Sequence, residues 1–133
     1  MKKTCLKLIL VMVLAVVFSA PSCWAKENGY CYIVGYSMQE KTAYTTPVFI
    51  AEVSGATYSE EEFVADVVLI RKMENQFQNY LAGQGINTAD FVISARVAYR
   101  SQAIADKRLT DEKSDFTGRG YSIKAADKFR LKN

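Results

Sequence analysis

The chain has 133 residues, a formal net charge of +3, no histidine, and hydrophobic residues at half of its positions. This length and apolar content are sufficient for the core of one small domain and exclude an intrinsically disordered chain. The absence of histidine excludes catalytic Cys-His and Ser-His pairs and removes the commonest metal ligand.

The N-terminal segment has the pattern of a secretory signal peptide. Lys2, Lys3 and Lys7 precede an unbroken apolar run at residues 8–18, which is the arrangement of such leaders. The run is shorter than the roughly twenty apolar residues that a membrane-spanning helix needs. We therefore predict an exported protein, periplasmic or secreted, with no transmembrane segment after processing.

The small residues Cys23 and Ala25 place the signal-peptidase cut before Lys26. Residues 1–25 are then a cleaved signal peptide, and residues 26–133 form a single exported α+β domain. Small residues also precede Cys23, so the alternative is a membrane-anchored lipoprotein that carries its lipid on this cysteine.

Cleavage would remove the whole net charge, because the three excess positive charges are the lysines of the leader. The remaining domain is neutral, so the pI of 8.7 belongs to the precursor. We therefore expect no nucleic-acid partner. Neutral proteins repel one another weakly, which leaves self-association open.

Cys31 is the one cysteine of the predicted mature domain, so no internal disulfide is expected. We expect a buried apolar side chain on a strand. The alternative is an intermolecular disulfide or a reactive thiol, although the neighbouring sequence offers nothing that would activate a thiolate.

Two β-strands are predicted near the start of the domain. In residues 30–36, three tyrosines and a valine alternate with Cys31, Ile33 and Gly35, and residues 43–53 are again rich in β-branched and aromatic types. The short polar link between them predicts an antiparallel hairpin. Pro47 cannot donate a ladder hydrogen bond, so it places the second strand at the sheet margin or divides it.

The stretch from Ser59 to Glu62 has the sequence of a helix N-terminal capping box and predicts a helix that begins at about Glu60. Gly83 and Gly85 end it. Apolar residues recur at helical spacing and predict the buried face. The residues of this stripe are Phe63, Val67, Ile70, Glu74, Phe77 and Leu81, and only Glu74 interrupts its apolar character.

Residues 91–99 alternate and predict a third strand. Its two faces are Phe91, Ile93, Ala95, Val97 and Tyr99 on one side and Val92, Ser94, Arg96 and Ala98 on the other. Ser101 is typical of a cap and predicts a second helix over residues 102–116, with Gly118 and Gly120 after it. Residues 121–131 predict a last strand.

The predicted order is β-β-α-β-α-β. We therefore predict an α+β fold, a two-layer sandwich of about four strands with both helices on one face. The mixed face of the third strand indicates that the sheet face opposite the two helices is open to solvent.

The segment from Val97 to Ile123 contains a strand, then AYRSQAIADKRL, and then a glycine followed by Tyr121-Ser122-Ile123. This segment, about a fifth of the chain, resembles one half of a sporulation-related repeat domain, a small periplasmic fold that binds peptidoglycan glycan strands. The first half of the chain departs from that pattern, since it begins with a hairpin and carries a much longer helix. The resemblance implies a cell-wall ligand.

No catalytic, cofactor-binding or metal-binding residue is predicted. One mature cysteine cannot build a zinc site, and no acidic run has the spacing of a calcium loop. The densest acids, Glu60 to Glu62, are assigned to helix capping, and the paired glycines follow helices. We therefore predict that the protein is not an enzyme and uses no cofactor.

Two groups of side chains are candidates for a partner-binding surface: tyrosines on the first two strands and arginines at the third. Tyrosine rings stack on sugars or contact proteins, and exposed arginine beside tyrosine is typical of interfaces. The alternatives are ordinary cross-strand packing and solvated charge. The candidate residues are Tyr30, Tyr32, Tyr36, Tyr44, Arg96 and Arg100.

The predicted function is that of an exported, non-enzymatic accessory or binding protein. Its partner would be an unknown protein or a cell-wall polymer. The alternatives are a peptidoglycan-binding domain and an inhibitor or immunity-type protein that binds one partner protein.

Overall fold

A computed structural model describes residues 25–133 of the chain. The predicted signal peptide lies outside these residues except for Ala25, and so does Cys23. Five strands and two helices follow in the order β-β-β-α-β-α-β, which confirms the predicted α+β fold class. Neither helix of the described segment has both the length and the apolar character needed to cross a membrane. The elements are β1 (Glu27–Ser37), β2 (Thr42–Thr45), β3 (Phe49–Val53), α1 (Val67–Gly83), β4 (Phe91–Tyr99), α2 (Gln102–Gly118) and β5 (Ser122–Ala125).

Strand β1 lies at the centre of the sheet. It pairs antiparallel with β4 along one edge and with both β2 and β3 along the other, while β5 extends the sheet parallel to β2. The predicted hairpin is therefore confirmed. Pro47 divides its second strand into β2 and β3, and Thr46 maintains the contact with β1 there: its N–H donates to the Ile33 carbonyl and its hydroxyl accepts the Ile33 N–H.

The two helices pack on opposite faces of the sheet, so the expectation of a two-layer sandwich with both helices on one face is wrong. Cys31 and Ile33 pack in one core cluster with α1 residues, whereas Tyr32 and Val34 pack in another with α2 residues. Strands β3, β4 and β5 are mutually parallel, and the two crossovers between them run in opposite directions across β1. Because such crossovers are nearly always right-handed, opposite directions place the helices on opposite faces.

A β-bulge in β4 changes which face its last residues occupy. The register with β1 shifts between Tyr30 and Tyr32, so that one extra residue is accommodated in β4. Ala98 consequently joins the α1-side cluster and Tyr99 the α2-side cluster. The strict alternation predicted for residues 91–99 is therefore wrong at these two positions.

Helix α1 begins at Val67, seven residues after the predicted start at Glu60. Asp66 is its N-cap and accepts the N–H groups of Val68 and Leu69. The Ser59 hydroxyl does accept two nearby N–H groups, those of Glu61 and Glu62, but within a turn.

The segment before α1 is extended because its backbone pairs with the end of β4. The Phe63 N–H donates to the Ala98 carbonyl, and the Arg100 N–H donates to the Glu61 carbonyl. Helix α2 begins as predicted, since the Ser101 hydroxyl accepts the Ile104 N–H.

Glu74 is the polar residue that interrupts the apolar stripe of α1, and the structure accounts for it. Its carboxylate accepts the N–H of Ala95, which lies in the edge strand β4, at 3.1 Å. A satisfied edge amide cannot pair with another strand, so Glu74 protects this edge of the sheet.

Strand β5 is shorter than predicted and ends at Ala125. The chain then turns onto the α1 side of the sheet, where Ala126 and Phe129 are buried in the same cluster as Phe77. The last residues of the chain therefore lie beside α1.

Gly35 provides a test of the packing between β1 and α1. A Cβ atom at this position would lie 2.8 Å from Ile93 and 3.2 Å from Phe77, whereas a Cβ at Gly83 would meet nothing within 4 Å. We expect Gly35→Ala to lower the free energy of unfolding by about 1–3 kcal/mol. Gly83→Ala should raise it by about 0.5–1 kcal/mol. Urea denaturation measures both, and equal stability of the two variants would contradict the packing.

Cys31 is fully buried, as predicted, and burial raises the pKa of its thiol from an ordinary 9.0 to about 12. The folded state therefore retains this proton more tightly than the unfolded state. Its contribution to stability is complete below pH 9.0 and is lost as the pH rises toward about 12.

Denaturation between pH 9 and 12 should consequently show a shallower loss of stability for Cys31→Ala than for the unmodified protein. The difference in slope should be up to about 1.4 kcal/mol per pH unit. Slopes are compared because the substitution also lowers stability at every pH. Identical slopes would mean that the thiol ionises in the folded protein as it does in water.

Candidate functional site

The four candidate tyrosines do not form one surface. Tyr30, Tyr32 and Tyr36 belong to the cluster beneath α2, where Tyr32 is 1% exposed. Tyr44 packs on the opposite face, with its ring centroid 5.9 Å from that of Phe91. The face that was expected to be open is covered by α2, so the cross-strand packing alternative describes these residues.

The two candidate arginines are also separated. Arg96 contacts Glu112 of α2, whereas Arg100 lies at the other side of the bulge, with its guanidinium 6.0 Å above the Phe63 ring. Arg100 is exposed and donates to the backbone carbonyl of Glu60 at 3.3 Å. The structure therefore gives these two arginines different contacts.

Glu112 joins α2 to the sheet through a half-buried network. Its carboxylate accepts the Tyr32 hydroxyl at 2.6 Å and two nitrogens of Arg96 at 3.0 and 2.6 Å. Arg96 also donates to the Ser94 hydroxyl at 2.6 Å, and the Tyr32 ring stacks on Tyr99 with centroids 6.1 Å apart. The bulge in β4 makes this arrangement possible, because it turns Tyr99 toward α2.

The surroundings of this network raise the pKa values of Tyr32, Tyr99 and Arg96. Burial, followed by the bond to Glu112, raises the pKa of Tyr32, and burial raises that of Tyr99. The hydrogen bond to Glu112 raises the pKa of Arg96. The hydroxyl of the neutral Tyr32 and the charged Arg96 already occupy the Glu112 carboxylate, so the network fastens α2 to the sheet.

A second feature, the basic cleft, lies between α1 and the C-terminal residues. It has a volume of about 630 Å³ and contains three cations, two amides and two aromatic rings. Its lining residues are Gln76, Asn79, Tyr80, Lys128, Phe129, Arg130 and Lys132.

Two contacts fix the C-terminal residues against α1 and so shape the cleft. The Phe129 ring lies 5.3 Å from Phe77 and 5.7 Å from Tyr80, centroid to centroid. The side-chain amide of Gln76 both donates to the carbonyl and accepts the N–H of Lys132, each at 2.7 Å. The cleft is therefore preformed by core packing and by the two hydrogen bonds between the Gln76 side chain and the Lys132 backbone.

The cleft concentrates positive charge on a domain predicted to be neutral. Lys128, Arg130 and Lys132 line it without an acidic residue, and within residues 25–133 none of the three forms an ion pair. The Nη1 atom of Arg130 donates to the carbonyls of Asp127 and Phe129 at 2.8 and 2.7 Å, which orients the guanidinium. An oriented arginine beside two lysines favours a carboxylate or a phosphate.

An adjoining concavity, the edge groove, lies beside strand β3 and shares Phe129 and Arg130 with the basic cleft. Its volume is about 440 Å³, and apart from Arg130 its lining is apolar. The lining residues are Pro47, Val48, Phe49, Ile50, Phe129, Arg130 and Leu131.

Sequence reasoning missed both concavities. Their signal is the alternation of basic and apolar residues in KFRLK, residues 128–132, of which all but Lys132 belong to the predicted last strand. The α1 residues that complete the cleft lie some fifty positions earlier, so only the fold brings the two segments together. Within the described part of the chain, no group of three or more acidic or cysteine side chains could hold a metal ion.

Glu112→Gln should lower the free energy of unfolding by about 2–3 kcal/mol, because it leaves the half-buried charge of Arg96 without its partner. Glu61→Gln is the matched control, since Glu61 pairs with Arg108 on the surface and both side chains are about half exposed. That variant should lose much less stability than Glu112→Gln, because the ion pair that it removes is exposed to solvent. Equal losses in thermal or urea denaturation would contradict the role assigned to Glu112.

Comparison with known proteins found no matching family model, no matching curated protein and no matching solved structure.

Proposed function

We propose that this protein is an exported, non-enzymatic binding domain whose basic cleft binds a carboxylate-bearing ligand. The observation that carries the proposal is the set of three cations without acidic partners, Lys128, Arg130 and Lys132, in one preformed concavity. Export rests on the signal-peptide pattern of residues 1–25.

The chemistry of the cleft supports a carboxylate in particular. Arg130 uses Nη1 for the backbone carbonyls, so its Nε and Nη2 groups can donate to a ligand. Asn79 supplies an exposed amide, and the Tyr80 ring supplies an apolar wall with a polar tip. A ligand with a carboxylate next to an apolar or sugar-like group would use all of these.

A binding role fits the chain better than an enzymatic one. The sequence contains no histidine, and the half-buried carboxylate of Glu112 is already occupied by Tyr32 and Arg96. Both predicted partner classes, proteins and cell-wall polymers, carry carboxylates and are present outside the cytoplasm. The proposed surface replaces the tyrosine and arginine surface, since Tyr32 is buried.

Titration calorimetry with poly-glutamate tests the proposal. We expect binding at low salt that weakens as salt is added. Lys128→Glu and Lys132→Glu should each reduce the affinity about tenfold, because each variant replaces an attraction with a repulsion. The Gln76 bonds use only the backbone of Lys132, so they should survive its replacement.

Lys107→Glu is the matched control, since Lys107 lies on α2, is exposed, and is not part of the cleft. It makes the same change in net charge and should leave the affinity within about twofold. An equal effect at all three lysines would mean that poly-glutamate senses only net charge, and the cleft would not be the binding site. No binding at low salt would also contradict the proposal.

A further inference from the structure

We propose that the ligand is an extended acidic peptide that adds as a strand to the outer edge of β3. The inference rests on the proposed function, since the basic cleft supplies the charge that selects the peptide. It names the class of ligand and the backbone that binds it.

The outer edge of β3 is available for pairing. Strand β3 pairs with β1 on its inner edge, and within residues 25–133 no strand pairs with its outer edge. The edge of β4 differs, because Glu74 occupies one of its amides and residues 61–63 pair with its end. An unpaired edge presents N–H and C=O groups that can accept an extended chain.

The edge groove follows this edge rather than one face of the sheet. Phe49 and Ile50 are adjacent and therefore point to opposite faces, yet both line the groove. Ile50 is 54% exposed, which is high for a large apolar side chain in a strand. The five residues of β3 provide about 17 Å of edge, enough for a peptide of about five residues.

The two sides of β3 differ, one basic and the other apolar, and this difference specifies an amphipathic peptide. Arg130 lines both the edge groove and the basic cleft, which lies on the α1 side together with Lys128. Ile50 is opposite Tyr30 in the ladder, so it points to the α2 side. A bound strand would thus place acidic residues toward the cleft and apolar residues toward Ile50.

Pro47 limits where the peptide pairs. Pro47 has no N–H to donate, so pairing begins after it. At the far end, Glu52 pairs at 2.9 Å with Lys26, which directly precedes β1, so this ion pair spans the seam between β1 and β3 and does not lie on the outer edge. The available backbone therefore starts at Val48 and continues along β3 to Val53.

The probe is an acetylated, amidated heptapeptide in which glutamate and valine alternate. The control peptide has the same sequence but is N-methylated at every second amide, which removes backbone N–H donors and keeps the charge. We expect calorimetry to show that the parent peptide binds at least tenfold more tightly than the N-methylated peptide. Hydrogen exchange should slow at the β3 amides that point away from β1.

A protein variant tests the groove independently. Ile50→Lys should weaken the parent peptide about tenfold and leave poly-glutamate binding unchanged or stronger, because its side chain is exposed and lies beside the groove. Val92→Lys is the control, since Val92 is an exposed valine of β4. This substitution should change neither the affinity for the parent peptide nor the affinity for poly-glutamate.

The outcomes separate this inference from the proposed function. Equal binding of both peptides, with poly-glutamate binding that depends on Lys128, would overturn strand addition and retain the carboxylate site. Failure of both peptides and of poly-glutamate would overturn both proposals. Sedimentation with purified peptidoglycan that is lost in Lys128→Glu, without peptide binding, would overturn the peptide and identify a cell-wall ligand for the cleft.

Discussion

The structure depends on one constraint: strand β1 is buried on both faces and paired along both edges. Cys31, Tyr32, Ile33 and Val34 are each no more than 1% exposed, although consecutive residues point to opposite faces. Each face therefore needs its own cover, which α1 supplies on one side and α2 on the other. The charged contact that fastens α2, between Glu112 and Arg96, lies directly over this strand's neighbour β4.

The same constraint leads to the proposed site. The chain crosses the sheet twice to cover both faces and finishes at β5, next to β2. Its last residues then turn back onto the α1 side, where Phe129 completes the aromatic cluster around Phe77. Burial of this one ring brings the neighbouring cations Lys128 and Arg130 to the rim of a concavity. The positive surface is thus a by-product of core packing.

Local signals in the sequence predicted the parts of the fold that local interactions decide. Ser101 caps α2 as expected, and Pro47 divides the second strand because it lacks a donor. Non-local pairing decided the rest. Ser59 has the sequence of a cap, yet the backbone after it pairs with β4 and remains extended. The bulge that moves Tyr99 to the α2 side has no signature in residues 91–99. The cleft joins segments far apart in sequence, so no single stretch could reveal it.

The central claim is that ligand binding occurs at the C-terminal cleft and not beneath α2. Chemical-shift mapping tests it most directly, with isotope-labelled protein of residues 26–133 and the acidic peptide as the probe. The account predicts that the shifts concentrate at residues 76–80, 128–132 and the neighbouring strand β3. Shifts concentrated around Arg96, Arg100 and α2, with none at residues 128–132, would contradict it.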